Sequence, residues 1–281
     1  MIKKETLIYL IIFGIITSCV NYQIEINSIE FNKNVNKNRN CKLDYPNLEN
    51  NPNLKKLRSK YKIDNLVNSA KTDLEKAIIL LNWTNNRWKH NGKNKPSNDD
   101  ALTILEEAES GKKFRCVEYG IVLSETLNSI GIPARVIGLK TKNVETAKSG
   151  AGHVATEAYI SEINKWIFLD PQMNYIPYLN ETPLNAVEYQ KAISTDRNKI
   201  ELINSKGKLN KRKTKSITKW IYKYLYYFDT SLNQEKGKQC QGKNRLMLVP
   251  KNAKKPKIFQ IKYKIDNCLY TNNLNDFYIK P

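Results

Sequence analysis

The sequence predicts an α+β fold on three observations. Helical periodicity fills residues 72–130, β-rich segments follow from residue 134, and the two kinds do not alternate. Helices followed by strands that pair as hairpins give an antiparallel sheet backed by helices, whereas a parallel sheet needs strand and helix in alternation. The 281 residues are 40% hydrophobic and 26% charged, enough apolar material for one sizeable core. With 11 Gly and 10 Pro, collagen and low-complexity fibre are excluded.

Each element has its own signature. Thr72 with Glu75 three residues on is a capping box, and Leu74, Ala77, Ile78, Leu81 and Trp88 mark a helical face running to about His90. A second helix is expected between Asn98 and Gly111, burying Ala101, Leu102, Ile104 and Leu105. A third is expected over 116–130, with Gly131 as its stop. Residues 134–140, 153–161 and 165–169 are strands by their Val, Ile, Tyr and Trp content, the last two joined by a hairpin-length link. Residues 183–193 are expected to be a helix with Pro183 in its first turn, and 206–219 a basic loop. Ile217, Trp220, Ile221, Tyr224, Tyr227 and Phe228 form an aromatic helical stripe beside Lys215, Lys219 and Lys223. Packing on the domain is favoured over lying on a membrane surface, because amphipathic helices usually bury their apolar stripe. Residues 246–249 and 257–265 are expected to be late strands.

The N-terminus has the order of a secretory signal: Lys3 and Lys4, an apolar run over 7–16, then Thr17-Ser18-Cys19. The run is too short to span a bilayer permanently, which takes about 20 residues. Ile16-Thr17-Ser18-Cys19 resembles the lipobox of bacterial lipoproteins, so Cys19 is the expected lipidation site and the chain an exported protein of the cell envelope, anchored in the membrane. The expected organisation is a signal peptide over 1–18, a tether and N-terminal extension over 19–60, a core over 61–195, and a basic C-terminal α/β extension over 196–281 carrying the aromatic helix and late strands. Cys41, Cys116, Cys240 and Cys268 then lie in an oxidising compartment, where Cys240 and Cys268 could pair and leave Cys41 odd. With no Cys-x-x-Cys and only His90 and His153, no metal and no cofactor are expected. The net charge of +20 favours acidic partners, but Lys and Asn recur almost uniformly along the chain, whereas a nucleic-acid site needs its charge concentrated on one element. No specific nucleic acid is therefore expected, and an anionic envelope polymer is the candidate polyanion.

The chemistry-bearing residues sit where helices give way to strands. Cys116 opens an apolar helix, His153 opens a strand, and Asp170 closes the next strand. A thiol attacks as thiolate, which a helix N-terminus and a neighbouring imidazolium favour. His153 would take the thiol proton and return it to a leaving amine, Asp170 would orient the ring, and the Cys116 N–H would face a developing oxyanion.

Two stretches, Phe114-Arg115-Cys116-Val117-Glu118-Tyr119-Gly120 and Gly131-Ile132-Pro133-Ala134-Arg135-Val136-Ile137-Gly138, together resemble the nucleophile segment of the transglutaminase-like superfamily, a branch of the papain-like cysteine enzymes. Gly152-His153-Val154 with Glu157, and Lys165-Trp166-Ile167-Phe168-Leu169-Asp170-Pro171-Gln172, resemble its His and Asp segments in the same order. A weaker likeness around Asn82-Trp83 extends the match to about residues 70–195. The resemblance implies a papain-like core with Cys116 as nucleophile, His153 as base and Asp170 as orienting acid. It implies acyl transfer from an amide of a peptide or protein substrate, either to water or, in a cross-linking enzyme, to an amine. A non-catalytic envelope-binding lipoprotein on the same fold is the alternative from another class. Many members place Gly close before the Cys and an aromatic residue shortly after the His, where this chain has Phe114-Arg115 and Ala155-Thr156. Trp83 and Trp88 are the candidates for a side-chain oxyanion donor. Arg135 is equally compatible with a structural and a substrate-facing role, and Glu118 with a charge that suits the helix dipole.

Overall fold

The computed structural model describes residues 28–33, 41, 43–45, 51–232 and 240–281; the expected signal segment and Cys19 lie outside them. Five helices come first: α1 (Pro52–Lys60), α2 (Ile63–Val67), α3 (Asp73–Asn85), α4 (Ala101–Glu109) and α5 (Cys116–Asn128). Strands β1 (Ala134–Lys140), β2 (Gly152–Ile160) and β3 (Lys165–Leu169) follow as an antiparallel meander, with β2 between the other two. The α+β order expected of the sequence is the one observed.

Beyond β3 come β4 (Ile176–Leu179), β5 (Thr182–Pro183), α6 (Ala186–Thr195), β6 (Ile200–Asn204), β7 (Gly207–Lys208) and α7 (Lys211–Tyr222). The chain continues through β8 (Tyr227–Ser231), β9 (Arg245–Leu248), β10 (Ile258–Phe259), β11 (Tyr263–Lys264), β12 (Cys268–Thr271) and α8 (Leu274–Phe277). The main sheet has the order β12-β9-β8-β1-β2-β3, so the segment after residue 195 supplies three of its six strands. A smaller sheet, β5-β4-β6-β7, lies beside it.

Helices cover both faces of the main sheet. Leu80 and Leu81 of α3 and Leu123 and Leu127 of α5 pack with Ala134, Ala158, Ile160 and Ile167 on one face. Tyr189 and Ile193 of α6 and Ile217 and Ile221 of α7 pack with Ile137, Leu139, Ala155 and Phe168 on the other. Strand alternation divides the side chains of β1 to β3 between these two cores.

Several expectations are corrected. α3 ends at Asn85, so His90 lies in the connection to α4 and not on a helix. Residues 211–219 are helical, because Asn210 caps α7 by accepting from the Lys213 N–H and the stripe from Ile217 to Tyr224 buries itself on the sheet, whereas Tyr227 and Phe228, expected in the same helical stripe, belong to strand β8. Pro183 sits in β5, and α6 starts at Ala186 behind an Asn185–Glu188 capping box. The strand expected over 257–265 is a tight hairpin of β10 and β11, broken where Gln260 and Ile261 take positive φ. α1 lies within the expected tether and N-terminal extension over 19–60 and buries Leu54 and Leu57. Cys41 is not odd: it pairs with Cys240 across 199 residues, and Cys268 is a buried free thiol. Closing a loop of that length contributes about 5 kcal/mol in the chain-entropy account. Among the described residues no helix is long and apolar enough to cross a membrane.

Candidate active site

The three residues singled out in the sequence come together at one end of the main sheet. His153 Nε2 lies 2.9 Å from Asp170 Oδ2, and both side chains are buried. The ladder pairs Thr156 with Leu169, so Asp170 falls opposite Ala155 and diagonal to His153 on the same face, within reach of long side chains. The Asp170 carboxylate has a second task. Its Oδ1 accepts the Met173 N–H at 3.0 Å and closes the turn after Pro171. That turn is stapled to α3: Asn85 donates to the carbonyls of Pro171 and Gln172, both at 2.9 Å, and Asn82 accepts from Asn174 at 3.1 Å. The Asn82-Trp83 segment therefore holds the acid in place from the neighbouring helix.

Cys116 reaches the same point from the opposite face. α5 lies against β2 because residue 120 is glycine: a Cβ there would sit 3.0 Å from Val154 and 3.2 Å from the Ala155 carbonyl oxygen. Thr156 Oγ1 donates to the Gly120 carbonyl at 3.2 Å across this contact. One turn earlier in the helix, the partly exposed Cys116 thiol lies near enough to His153 to help raise its pKa. With Nε2 engaged by Asp170, Nδ1 is the ring nitrogen left for sulfur. Burial pulls the His153 pKa down, but the charge and hydrogen bond of Asp170, together with Cys116, outweigh it and raise the pKa to about 9.

The first turn of α5 differs from those of its neighbours. The N-cap side chains Asn51, Thr72, Asp100, Asn185 and Asn210 accept from the opening N–H groups of α1, α3, α4, α6 and α7. α5 has Arg115 at that position, and a guanidinium has no acceptor to offer. Buried Glu118 instead turns back to the Arg115 N–H at 2.9 Å and to its guanidinium. The opening amides of α5, that of Cys116 among them, therefore have no side-chain cap.

Two groups at the site were not legible in the sequence. Trp220 and Tyr224 of the α7 stripe stand 4.9 and 5.9 Å from the His153 ring, centroid to centroid, and 5.1 Å from each other. These aromatic contacts to His153 come from a segment that begins 67 residues downstream of it, at Trp220. Exposed His90 lies near enough for the charge of His153 to lower its pKa, after the larger effect of burial. Arg135 resolves as structural: it is fully buried, pairs with Glu157 at 2.7 Å, donates to the Phe277 carbonyl and lies over Trp166. Trp83 meets Tyr61 edge to face, while Trp88 packs between Phe114 and Tyr119 with its indole nitrogen buried and unpartnered. Among the described residues no three His, Cys, Asp or Glu side chains gather as a metal site would require.

Residues 61–171 match the family model of the transglutaminase-like superfamily, and this span contains Cys116, His153 and Asp170. The likeness covers the core only. Similar solved structures include a candidate cysteine protease from Cytophaga hutchinsonii, at 16% identity over 47% of this chain and 46% of that one, TM-score 0.35. Red sea bream transglutaminase is 16% identical over 44% of this chain and 25% of its own, TM-score 0.28. Legionella pneumophila LapG is 18% identical over 63% of this chain and 95% of its own, TM-score 0.31. The chain spans less than half of the Cytophaga hutchinsonii structure. No curated protein matches. The matched span of the transglutaminase-like core stops at residue 171, before α7 begins.

Proposed function

We propose that the chain is a cysteine-dependent hydrolase of peptide or related amide bonds, with Cys116 as nucleophile, His153 as proton carrier and Asp170 as orienting acid. One observation carries this reading: a buried His–Asp hydrogen bond whose imidazole lies within electrostatic reach of a partly exposed thiol at a helix start. With its pKa near 9, His153 is protonated at neutral pH, which suits an imidazolium beside a thiolate. The thiolate attacks the carbonyl carbon, forming a C–S bond, and the oxyanion is met by the uncapped amides at the start of α5. His153 gives its proton to the departing amine as the C–N bond breaks. It then takes a proton from water, which attacks the thioester; the carboxylic product leaves and the thiol is restored.

Export and a lipid anchor on Cys19 belong to the same proposal. The Cys41–Cys240 bridge suits an oxidising compartment, and the charged start, short apolar run and Cys19 suit the route to it. Incubation with a peptide library, followed by mass spectrometry of Cys116 and of the products with and without an added primary amine, tests the chemistry. A thioester at Cys116 that resolves to carboxylate supports hydrolysis. Resolution to a new amide only would assign amine transfer, and no adduct with any substrate that is turned over would refute the mechanism. Membrane fractionation of wild type and Cys19→Ser tests the anchor; a wild-type product kept full length in the cytoplasm would refute it.

A further inference from the structure

We propose that the β10–β11 hairpin is a contact element for an anionic lipid surface, independent of the chemistry assigned to Cys116. Among the described residues the exposed large hydrophobic side chains are Ile163, Ile258, Ile261 and Tyr263, and the last three belong to this hairpin. Ile261 is 57% and Tyr263 54% exposed. Such clustering on one short hairpin is unlike the single scattered apolar residues of ordinary surfaces.

The tip is held firmly. Gln260 and Ile261 have φ of 52° and 49°, a region that a β-branched residue such as Ile seldom enters. Their N–H groups donate to the carbonyls of Val144 and Glu145 at 2.8 and 3.2 Å, and the Gln260 side chain accepts from the Ala151 N–H at 2.9 Å. The fold thus fixes an apolar side chain outward instead of letting it fold back.

The surroundings are basic. Lys251, Lys254, Lys255, Lys257, Lys262 and Lys264 fall within residues 251–265, a stretch with no Asp or Glu. Glu145, from the loop beneath, pairs with Lys254, and Asp266 follows the stretch. Lys142 and Lys148 add positive charge from the same loop as Glu145. A peptide ligand needs a groove or a strand edge of several residues, and β10 and β11 have two residues each. Ile261 and Tyr263 suit the boundary between headgroups and acyl chains, where Tyr is favoured, while the lysine collar suits headgroup phosphates. The other aromatic, basic segment, α7, turns its stripe inward against the core.

The hairpin is coupled to the site by packing. The Phe259 ring fills the space beside Gly152, where a Cβ would come within 3.0 Å of it, and His153 is the next residue. Docking through the tip would therefore set the mouth of the site close to the lipid surface.

Limited trypsin digestion of the full chain, with cleavage rates resolved by mass spectrometry, tests this. Vesicles of phosphatidylglycerol and phosphatidylcholine should slow cleavage after Lys257, Lys262 and Lys264 about tenfold, and far less after Lys55 and Lys56 of α1. Pure phosphatidylcholine should protect much less. Ile261→Asp with Tyr263→Asp should abolish the selective protection while circular dichroism and melting stay unchanged, since Asp tolerates the positive φ at 261. Equal slowing at both places, equal protection by neutral vesicles, or protection retained in the double variant would overturn the proposal. So would stronger protection by soluble polyglutamate than by vesicles.

Discussion

Cys116 and Cys268 are both free thiols at the first residue of a regular element, and their surroundings give them opposite prospects. Cys268 is 6% exposed, and burial, with the charge of Asp229, pushes its pKa up to about 11. No imidazole stands beside it. Cys116 is partly exposed, opens a 13-residue helix without a side-chain cap, and has His153 as partner. On the proposed reading the contrast teaches that the reactivity of a thiol is set by its neighbours: a helix start, a buried acid–base pair and aromatic rings drawn from four separate segments of chain.

The largest expected effect breaks the comparison at its centre. Cys116→Ala should abolish covalent turnover while the fold persists, measured by product formation beside circular dichroism. His153→Ala should reduce turnover by about 10³-fold, the usual worth of positioned proton transfer. Asp170→Asn should be milder, about 10²-fold, because a thiol depends less than a hydroxyl on the group behind its base. Its signature is in the pH profile. Turnover of the wild type should fall as pH rises through about 9, where His153 loses its proton, and removing the Asp170 charge should move that limb downward.

The same shift has a stability sign. The folded pKa of His153 lies above the ordinary 6.5, so its stabilisation is complete below about pH 6.5 and is lost as pH rises through about 9. The destabilisation caused by Asp170→Asn should therefore be greatest in acid and shrink across that window, which denaturant titration at several pH values would show.

Trp220→Ala sharpens the comparison, since it removes the wall and leaves the three polar groups. Turnover should fall several-fold and stability by about 2 to 3 kcal/mol, because the ring packs on both His153 and Tyr224. Unchanged stability with weakened membrane binding would show the stripe to be a surface element. The smallest effect belongs to Cys268→Ala, which should cost about 1 kcal/mol and leave turnover unaltered.

How much of this was visible in the sequence follows from how local each feature is. The strands Ala134–Lys140 and Lys165–Leu169 were legible to the residue, because alternation and the Asn164 turn are written within a few positions. The meeting of His153 with Asp170, and the place of Cys116 at a helix start, were legible because a short hairpin and a local helix signal fix them. Trp220 and Tyr224 were visible as an apolar stripe but not as neighbours of His153, since that contact depends on how α7 crosses the sheet. The Cys41–Cys240 pairing was hidden for the same reason, joining residues 199 apart. The hairpin at Gln260 was misread as a continuous strand because neither Gln nor Ile announces a positive φ.

The most direct test of the central claim is competitive alkylation of the two thiols in one sample of native protein at pH 7, with iodoacetamide and peptide-resolved mass spectrometry. Cys116 should be modified at least about 100-fold faster than Cys268, and His153→Ala should erase most of that advantage. Equal rates at the two thiols, or an unchanged Cys116 rate in His153→Ala, would contradict the account.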